Sequence, residues 1–246
     1  MNNIINVNNI NFSYFVKESS NNILYDDFSL SILDNSTVAI LGGSGSGKST
    51  LARVIAGMLP CKSGSIIRSE ILNHPSDLIY IDQNAMNSVF PWQNVRKNLE
   101  YPLNKLKWET DKIKQRCDYL LQLFHLQDLA NAFPANLSGG ELQRLALARS
   151  FSWQPKFAIL DESFSALDQQ LRTEIIGALR AIIQHDKMTV IFITHNIQEA
   201  LSLATRCIVL GKLPVSIIDD IDLTAPDMTK EIAQTKLLGA IKDGYL

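Results

Sequence analysis

The stretch Val38 to Thr50, VAILGGSGSGKST, runs from four apolar side chains into a glycine-rich loop that ends in Lys-Ser-Thr. It reads as strand, phosphate-binding loop and helix. Gly42, Gly43, Gly45 and Gly47, with Ser44 and Ser46 between them, let the backbone turn tightly and aim successive N–H groups into one concavity that suits phosphate oxygens. Lys48 adds a positive charge for the β- and γ-phosphates, and Ser49 offers a hydroxyl to Mg²⁺. Thr50 closes the motif as the helix begins, where unpaired N–H groups and the positive dipole end favour anions. Leu51, Val54, Ile55 and Met58 then fall at i, i+3, i+4 and i+7, which predicts one apolar helix face. A flexible Gly/Ser linker has a similar composition but would not lie between an apolar strand and an amphipathic helix. Nucleotide binding is the stronger reading.

Working outward, 246 residues at 46% hydrophobic content can bury a substantial core, as one large domain or a domain with an insertion. A net charge of -2 and a pI near 6.1 give no basic footprint and count against nucleic acid as a partner. The run from Lys105 to Arg116 is interrupted by Glu109 and Asp111 and reads as a solvated helix face. Cys61, Cys117 and Cys207 are odd in number and lack a CxxC pattern, so neither a disulfide framework nor a zinc site is expected, and a reducing cytosol fits. The Asn-rich start has no charged n-region or apolar h-region, and no apolar run approaches the ~20 residues that span a bilayer. Any membrane role is expected to come through a partner.

Upstream, Ile10, Phe12 and Tyr14 share one parity and Phe28, Leu30 and Ile32 another, which predicts two antiparallel strands joined by the polar loop Lys17 to Asn22. Tyr14, at the end of the first, is an aromatic that could stack on adenine or simply pack. Downstream, Lys62-Ser63-Gly64 reads as a turn and Leu78 to Ile81 as a buried strand that delivers Gln83. From Asn84 to about Arg149 helical spacing takes over, with Leu120, Leu123 and Phe124 on one face. Strand patterns return at Phe157 to Leu160, Thr189 to Ile193 and Cys207 to Leu210, with an amphipathic helix carrying Leu171, Ile175, Ala178, Leu179 and Ile182 between the first two. Such alternation implies an α/β fold with a mainly parallel sheet and helices on its faces.

FAILDE, Phe157 to Glu162, sets two carboxylates at a strand's C-terminal end, the edge where ligands sit in open α/β sheets. Asp161 is placed to hold Mg²⁺, directly or through water, and Glu162 to polarise a water as general base. Acidic pairs after strands also cap helices; the phosphate loop is what gives this pair weight. In LSGGELQRLALARS, from Leu137, Ser138 and Glu141 form a capping box, and Ser138, Gly139 and Gly140 at a helix N-terminus also make an anion site.

LSGGE followed by QR and an apolar stretch ending in DE resembles the ATP-binding cassette (ABC) family, and the order of motifs extends the resemblance over nearly the whole chain. It implies a P-loop NTPase core (1–83 and 151–215) with an N-terminal antiparallel β subdomain, an inserted helical subdomain (84–150) and a C-terminal tail (216–246). On this resemblance Gln83 matches the glutamine that senses Mg²⁺ and the γ-phosphate, with Gln93 as the fallback. Asp168, in Ser165-Ala166-Leu167-Asp168, matches the aspartate that works across a dimer interface. His195 matches the switch histidine at the γ-phosphate, and Tyr14 the aromatic on adenine. The family further implies a head-to-tail homodimer in which Ser138 and Gly140 of one copy close over ATP held by Gly42 to Thr50 of the other. Asp82 before Gln83, Ser163 after Glu162 and Asn196 after His195 depart from the usual pattern, and none removes a phosphate- or metal-binding group.

FPWQNVRKNLEYPL, Phe90 to Leu103, and the tail from Gly211 are similar to importers of nitrate, sulfonates and taurine. The resemblance therefore implies an ATPase with ATP and Mg²⁺ as cofactors. It would act as a dimer on the cytoplasmic face of integral membrane permease subunits, with an extracytoplasmic substrate-binding protein in the same system and no nucleic acid. Phe90 and Trp92 would line the groove for a permease helix or pack inside the helical subdomain. A soluble ABC ATPase acting on nucleic acid or ribosomes usually carries two cassettes or a long coiled-coil insertion, and neither is present. A cassette that binds ATP without hydrolysing it is argued against by Asp161, Glu162 and His195 together.

Overall fold

The computed structural model describes residues 2–14, 23–82, 85–164 and 167–244. The loop expected at Lys17 to Asn22, together with Gln83, Ser165 and Ala166, lies outside the described residues. The fold is α/β and P-loop in type, and its chain divides into two compact units: Met1–Tyr80 with Lys156–Glu162 and Lys187–Leu246, and Ile81–Pro155 with Ser163–Asp186.

The first unit is built on two sheets. Strands β1 (Asn3–Ser13) and β2 (Ile23–Leu33) pair antiparallel as the alternation predicts. The buried positions change parity between Val7 and Ile10, because a bulge intervenes with Asn9 at φ 46 and, opposite, Asp27 at φ 54. Asn and Asp tolerate this left-handed region, and the Asn9 amide donates to the Asp27 carboxylate at 2.6 Å. A third strand, β4 (Ser63–Arg68), pairs antiparallel with β1 where the sequence reading gives only a turn at Lys62-Ser63-Gly64. Gly64, at φ 88, is the place where a Cβ would lie 2.4 Å from the Asn9 carbonyl oxygen, so the glycine serves close backbone approach inside the sheet.

The larger sheet has the order β5-β6-β7-β3-β8-β9, with β3 at Thr37–Gly42, β5 at Leu78–Ile81, β6 at Phe157–Asp161, β7 at Thr189–Ile193, β8 at Arg206–Leu210 and β9 at Ile217–Asp222. β3 pairs parallel with both β7 and β8, and β6 parallel with β7; β9 returns antiparallel to β8. Every residue of β3, β6 and β7 is buried, as expected of parallel strands covered on both faces. After 215 the chain forms β9 and then helix α7 (Lys230–Asp243), which packs on β9 and β8.

Helix α1 (Lys48–Ala56) is shorter than the i, i+7 spacing predicts. Gly57 enters the left-handed region at φ 78, and the Gly57 and Met58 N–H groups donate to Val54 and Arg53 carbonyls, a Schellman closure. Met58 therefore leaves the helix and is 58% exposed, which corrects its assignment to the apolar face.

The second unit is helical: α2 (Val95–Lys105), α3 (Thr110–Leu123), α4 (Gly139–Ser150) and α5 (Gln169–Asp186). Leu99, Leu103, Cys117, Leu120, Leu145, Phe151, Leu179 and Ile182 are buried. A buried ion pair ties its elements, Arg116 of α3 to Asp186 at the end of α5, with contacts of 3.0 and 2.5 Å. The same guanidinium donates to the Phe151 and Ser152 carbonyls.

Candidate functional site

The register of the parallel strands brings the chemistry to one sheet edge. Ile40 lies opposite Ile193, and Ile193 opposite Asp161, so β3, β7 and β6 end level with one another. The Glu162 N–H donates to the Ile193 carbonyl at 3.2 Å and the Thr194 N–H to the Ile40 carbonyl at 3.3 Å, extending this edge past the strands. The loop after β3, the carboxylates after β6 and His195 after β7 all belong to this edge.

A cleft of about 330 Å³ opens over the loop, lined by Ser44, Gly45, Gly47, Ser49 and, from outside the loop, Glu162 and Tyr14. Gly47 precedes α1 at φ 79. Its carbonyl accepts the Leu51 N–H at 2.9 Å and the hydroxyl of buried Tyr25 at 2.7 Å. Ser46 closes the loop internally, its hydroxyl donating to the Gly43 carbonyl at 2.9 Å. The Lys48 ammonium also stays inside the loop, donating to Gly42 and Gly43 carbonyls at 2.9 and 2.6 Å. Burial pulls its pKa below the ordinary lysine value, while Glu162 and Asp161 favour the charged form.

Asp161 is buried at the end of β6, and its two oxygens have different partners. Ser49 Oγ donates to Oδ1 at 2.8 Å, and Tyr80 Oη donates to Oδ2 at 2.5 Å. The Ser49 and Asp161 oxygens suit a hard cation: Mg²⁺ takes oxygen ligands at about 2.1 Å in octahedral geometry, which sets neighbouring ligands about 3 Å apart. The residues therefore fit Mg²⁺. Glu162 follows at φ 49, a left-handed conformation that costs an ordinary residue of order 1–2 kcal/mol. The conformation places Glu162 at the lip of the phosphate-loop cleft, with Lys48 among the same lining residues.

Tyr14 is 49% exposed, stands edge-on to Phe12 with centroids 5.1 Å apart, and shares a 2.7 Å hydrogen bond with Thr50 Oγ1. Tyr14 therefore lines the cleft as a half-exposed aromatic. His195 is exposed and does not line the cleft. Asn196, the departure beside it, caps helix α6 (Ile197–Leu203) by accepting the Gln198 and Glu199 N–H groups.

The other expected residues belong to the second unit. Ser138 and Glu141 form the predicted capping box at α4; Gly139 has open space where a Cβ would stand, and Leu171 lies 3.0 Å from one built on Gly140. Asp168 accepts the Leu171 N–H at 2.9 Å at the start of α5. Ser163, in place of proline, donates its hydroxyl to the Ile81 carbonyl at 3.2 Å. Gln93 sits in a turn after Trp92, its N–H on the Phe90 carbonyl at 3.1 Å, while Gln83 is outside the described residues. Phe90 is half-buried, stacked on Trp92 (5.2 Å, 20°), edge-on to Tyr101 and covered by the Arg149 guanidinium at 4.2 Å; Trp92 is 69% exposed. Among the described residues, no helix is long and apolar enough to cross a membrane.

The sequence reading missed Tyr25 and Tyr80. Tyr80 is the polar tip in the otherwise aliphatic LIYI strand.

The profile of the family described as "ABC transporter" matches residues 25–165. The chain is 37% identical over 193 residues to the sulfate/thiosulfate import ATP-binding protein CysA of Synechocystis sp., covering 75% of this chain and 53% of that protein. It is 36% identical over 199 residues to the spermidine/putrescine import ATP-binding protein PotA of Haemophilus influenzae, covering 80% and 54%. The chain spans about half the length of the curated relatives it matches. Among solved structures, cbiO1 from Clostridium perfringens, described as part of the ABC transporter complex cbiONQ, shares the fold with a TM-score of 0.78 at 24% identity, covering 100% of this chain and 98% of that one.

Proposed function

The chain belongs to the ABC transporter family and carries its ATP-binding ATPase domain, and we propose that it is the subunit that hydrolyses ATP to drive a bacterial-type importer of small ions. The observation that carries this reading is one sheet edge holding the phosphate loop, the Ser49–Asp161 oxygen pair at 2.8 Å, and Glu162 with Lys48 along a single cleft. Bound Mg²⁺ would neutralise charge on the β- and γ-phosphates. Lys48 and the amides leading into α1 meet the remaining phosphate charge, and Tyr14 offers its ring to the adenine. Glu162 accepts the proton of the attacking water, with Gln83 and His195 completing the surroundings of the γ-phosphate. Ser138, Gly139, Gly140 and Asp168 act on the ATP of a second copy in a head-to-tail homodimer.

The reading includes permease partners and a substrate-binding protein outside the membrane, which the resemblance to importers supports. The similarity of Phe90 to Leu103 to importers of nitrate, sulfonates and taurine supports a cargo of that kind. The names of the relatives, sulfate/thiosulfate and spermidine/putrescine import proteins, agree on small ions. Cargo choice would rest with the other subunits.

Glu162→Gln tests the reading. It should retain ATP binding and lose about 10² to 10⁴ in turnover, the usual contribution of a general base. It should also accumulate as a dimer with Mg-ATP in size-exclusion chromatography with light scattering, and adding Ser138→Arg should return it to monomer. Turnover at the parent rate would overturn the base assignment, and a monomer at saturating Mg-ATP the shared site. Co-purification without any integral membrane protein would favour a soluble ATPase over an importer subunit.

A further inference from the structure

Asp161 receives two hydroxyl donors, one on each carboxylate oxygen, and only Ser49 belongs to the phosphate loop. Tyr80 comes from β5, the strand next to β6 in the sheet. Its 2.5 Å contact to Oδ2 is in the range of a charge-assisted O–H···O⁻ bond. An ionised carboxylate only accepts, so the Tyr80 hydroxyl turns its one hydrogen to Asp161.

We propose that Tyr80 is a positioning residue for the divalent cation site: it pins Asp161 Oδ2 so that Oδ1 stays turned to Ser49 Oγ. The inference rests on the reading of this cleft as an Mg-ATP site. A carboxylate can rotate about its terminal torsion, and that torsion is broad and roughly two-fold in its preferences. With Tyr80 in place, rotation breaks a short charge-assisted bond. Without it, either oxygen can meet Ser49, and the positive Lys48 ammonium, already drawn by Asp161, competes for the freed one. The oxygen pair at 2.8 Å would then be one arrangement among several instead of the held one. Outer-shell partners of metal ligands typically contribute 10- to 100-fold in metal affinity.

The test uses the full chain as parent, Tyr80→Phe and Tyr80→Met. Mn²⁺ stands in for Mg²⁺ and is titrated by electron paramagnetic resonance with adenylyl imidodiphosphate present. Tyr80→Phe should weaken Mn²⁺ about 10-fold or more, while nucleotide affinity in EDTA and the melting temperature stay near the parent's. In turnover, half-saturation by Mg²⁺ should rise while kcat at saturating Mg²⁺ changes far less. Tyr80→Met, which also lacks the hydroxyl and has a flexible side chain that adapts to the space of the ring, should shift Mn²⁺ in the same direction and provides the answer if Tyr80→Phe does not fold. Unchanged Mn²⁺ affinity in the folded variants would overturn the inference. A parent chain that takes up no Mn²⁺ with the nucleotide would instead overturn the reading of the site, so the two failures are distinct.

Discussion

Gly47→Ala should be a damaging single methyl in the phosphate loop, and the structure says how its cost divides. Gly47 holds φ 79, where an alanine costs about 1–2 kcal/mol. Its Cβ would also stand 2.7 Å from Tyr25 Oη and 3.1 Å from Leu24 Cδ1. Tyr25 is fully buried, so its ring has no room to retreat, and overpacking of this kind costs about 1–3 kcal/mol. The sum, about 3 kcal/mol, corresponds to roughly 6–12 °C in melting temperature for a chain of this size. Tyr25→Phe alone removes one hydrogen bond to the Gly47 carbonyl, which keeps its Leu51 partner, and should cost about 1 kcal/mol. In the double variant the offending oxygen is gone. The backbone strain, the lesser Leu24 contact and the lost hydrogen bond remain, so the double variant should melt no lower than Gly47→Ala and fall short of additivity by about 1–2 kcal/mol. Calorimetric melting of the four proteins measures this coupling, and ATP titration should show the same order of loss. Additivity within about 0.5 kcal/mol would mean that the Tyr25 contact is not what makes position 47 a glycine.

Asp186→Asn should destabilise the chain by about 3–5 kcal/mol, because Arg116 and Asp186 side chains are 4% and 2% exposed and the substitution leaves a buried guanidinium without its counter-charge; a melting shift under 2 °C would contradict this. Burial pushes the Cys117 and Cys207 thiols up to about 12, so iodoacetamide at pH 8 should label Cys61 first and the other two only after unfolding, as read by mass spectrometry. The same two thiols stay protonated in the folded chain but ionise near 9 once unfolded. Their contribution to stability is therefore complete below pH 9 and is lost progressively as pH rises from 9 towards 12, which alkaline melting curves of Cys→Ala variants should isolate. Trp92→Ala should leave the melting temperature within about 2 °C, since the ring is mostly exposed, yet weaken attachment to a membrane subunit in co-purification. Phe90→Ala should lower stability by more, because Arg149, Tyr101 and Trp92 all rest on that ring.

The parts of the fold that were legible are those whose signal is local. β3, β6 and β7 are buried along their whole length and read as unbroken apolar runs, and the capping box at Ser138 and Glu141 is complete within four residues. β4 gives no such signal: in SGSIIR five of six positions are exposed, with Ile66 half-buried, so neither alternation nor an apolar run marks it. Its existence is decided by pairing with β1, more than fifty residues upstream, and by a glycine whose missing Cβ admits the neighbouring backbone. Met58 was misplaced for a different reason. A spacing of i, i+7 counts side chains and ignores the backbone, and Gly57 between Ala56 and Met58 is itself the stop.

The same division runs through the site. Lys48, Ser49, Asp161 and Glu162 are recognisable because loop and strand-end chemistry is written in consecutive residues. The side chains that hold them are not, because each comes from a strand distant in the sequence. Tyr25 meets Gly47 from twenty-two residues away, and Tyr80 meets Asp161 from eighty-one. Nothing in LIYI asks for a hydroxyl, since an aromatic on a buried strand is explained by packing alone. The hydroxyl gains its meaning only when β5 is set beside β6 in the strand order, an order fixed by how the helices cross between strands and not by any stretch of a few residues. A groups-and-spacing reading thus finds the atoms that would touch nucleotide and cation, while the angles at which those atoms are held are a property of the assembled sheet. Substitutions at Tyr25 and Tyr80 are accordingly where a change that looks conservative in the sequence should alter the site most.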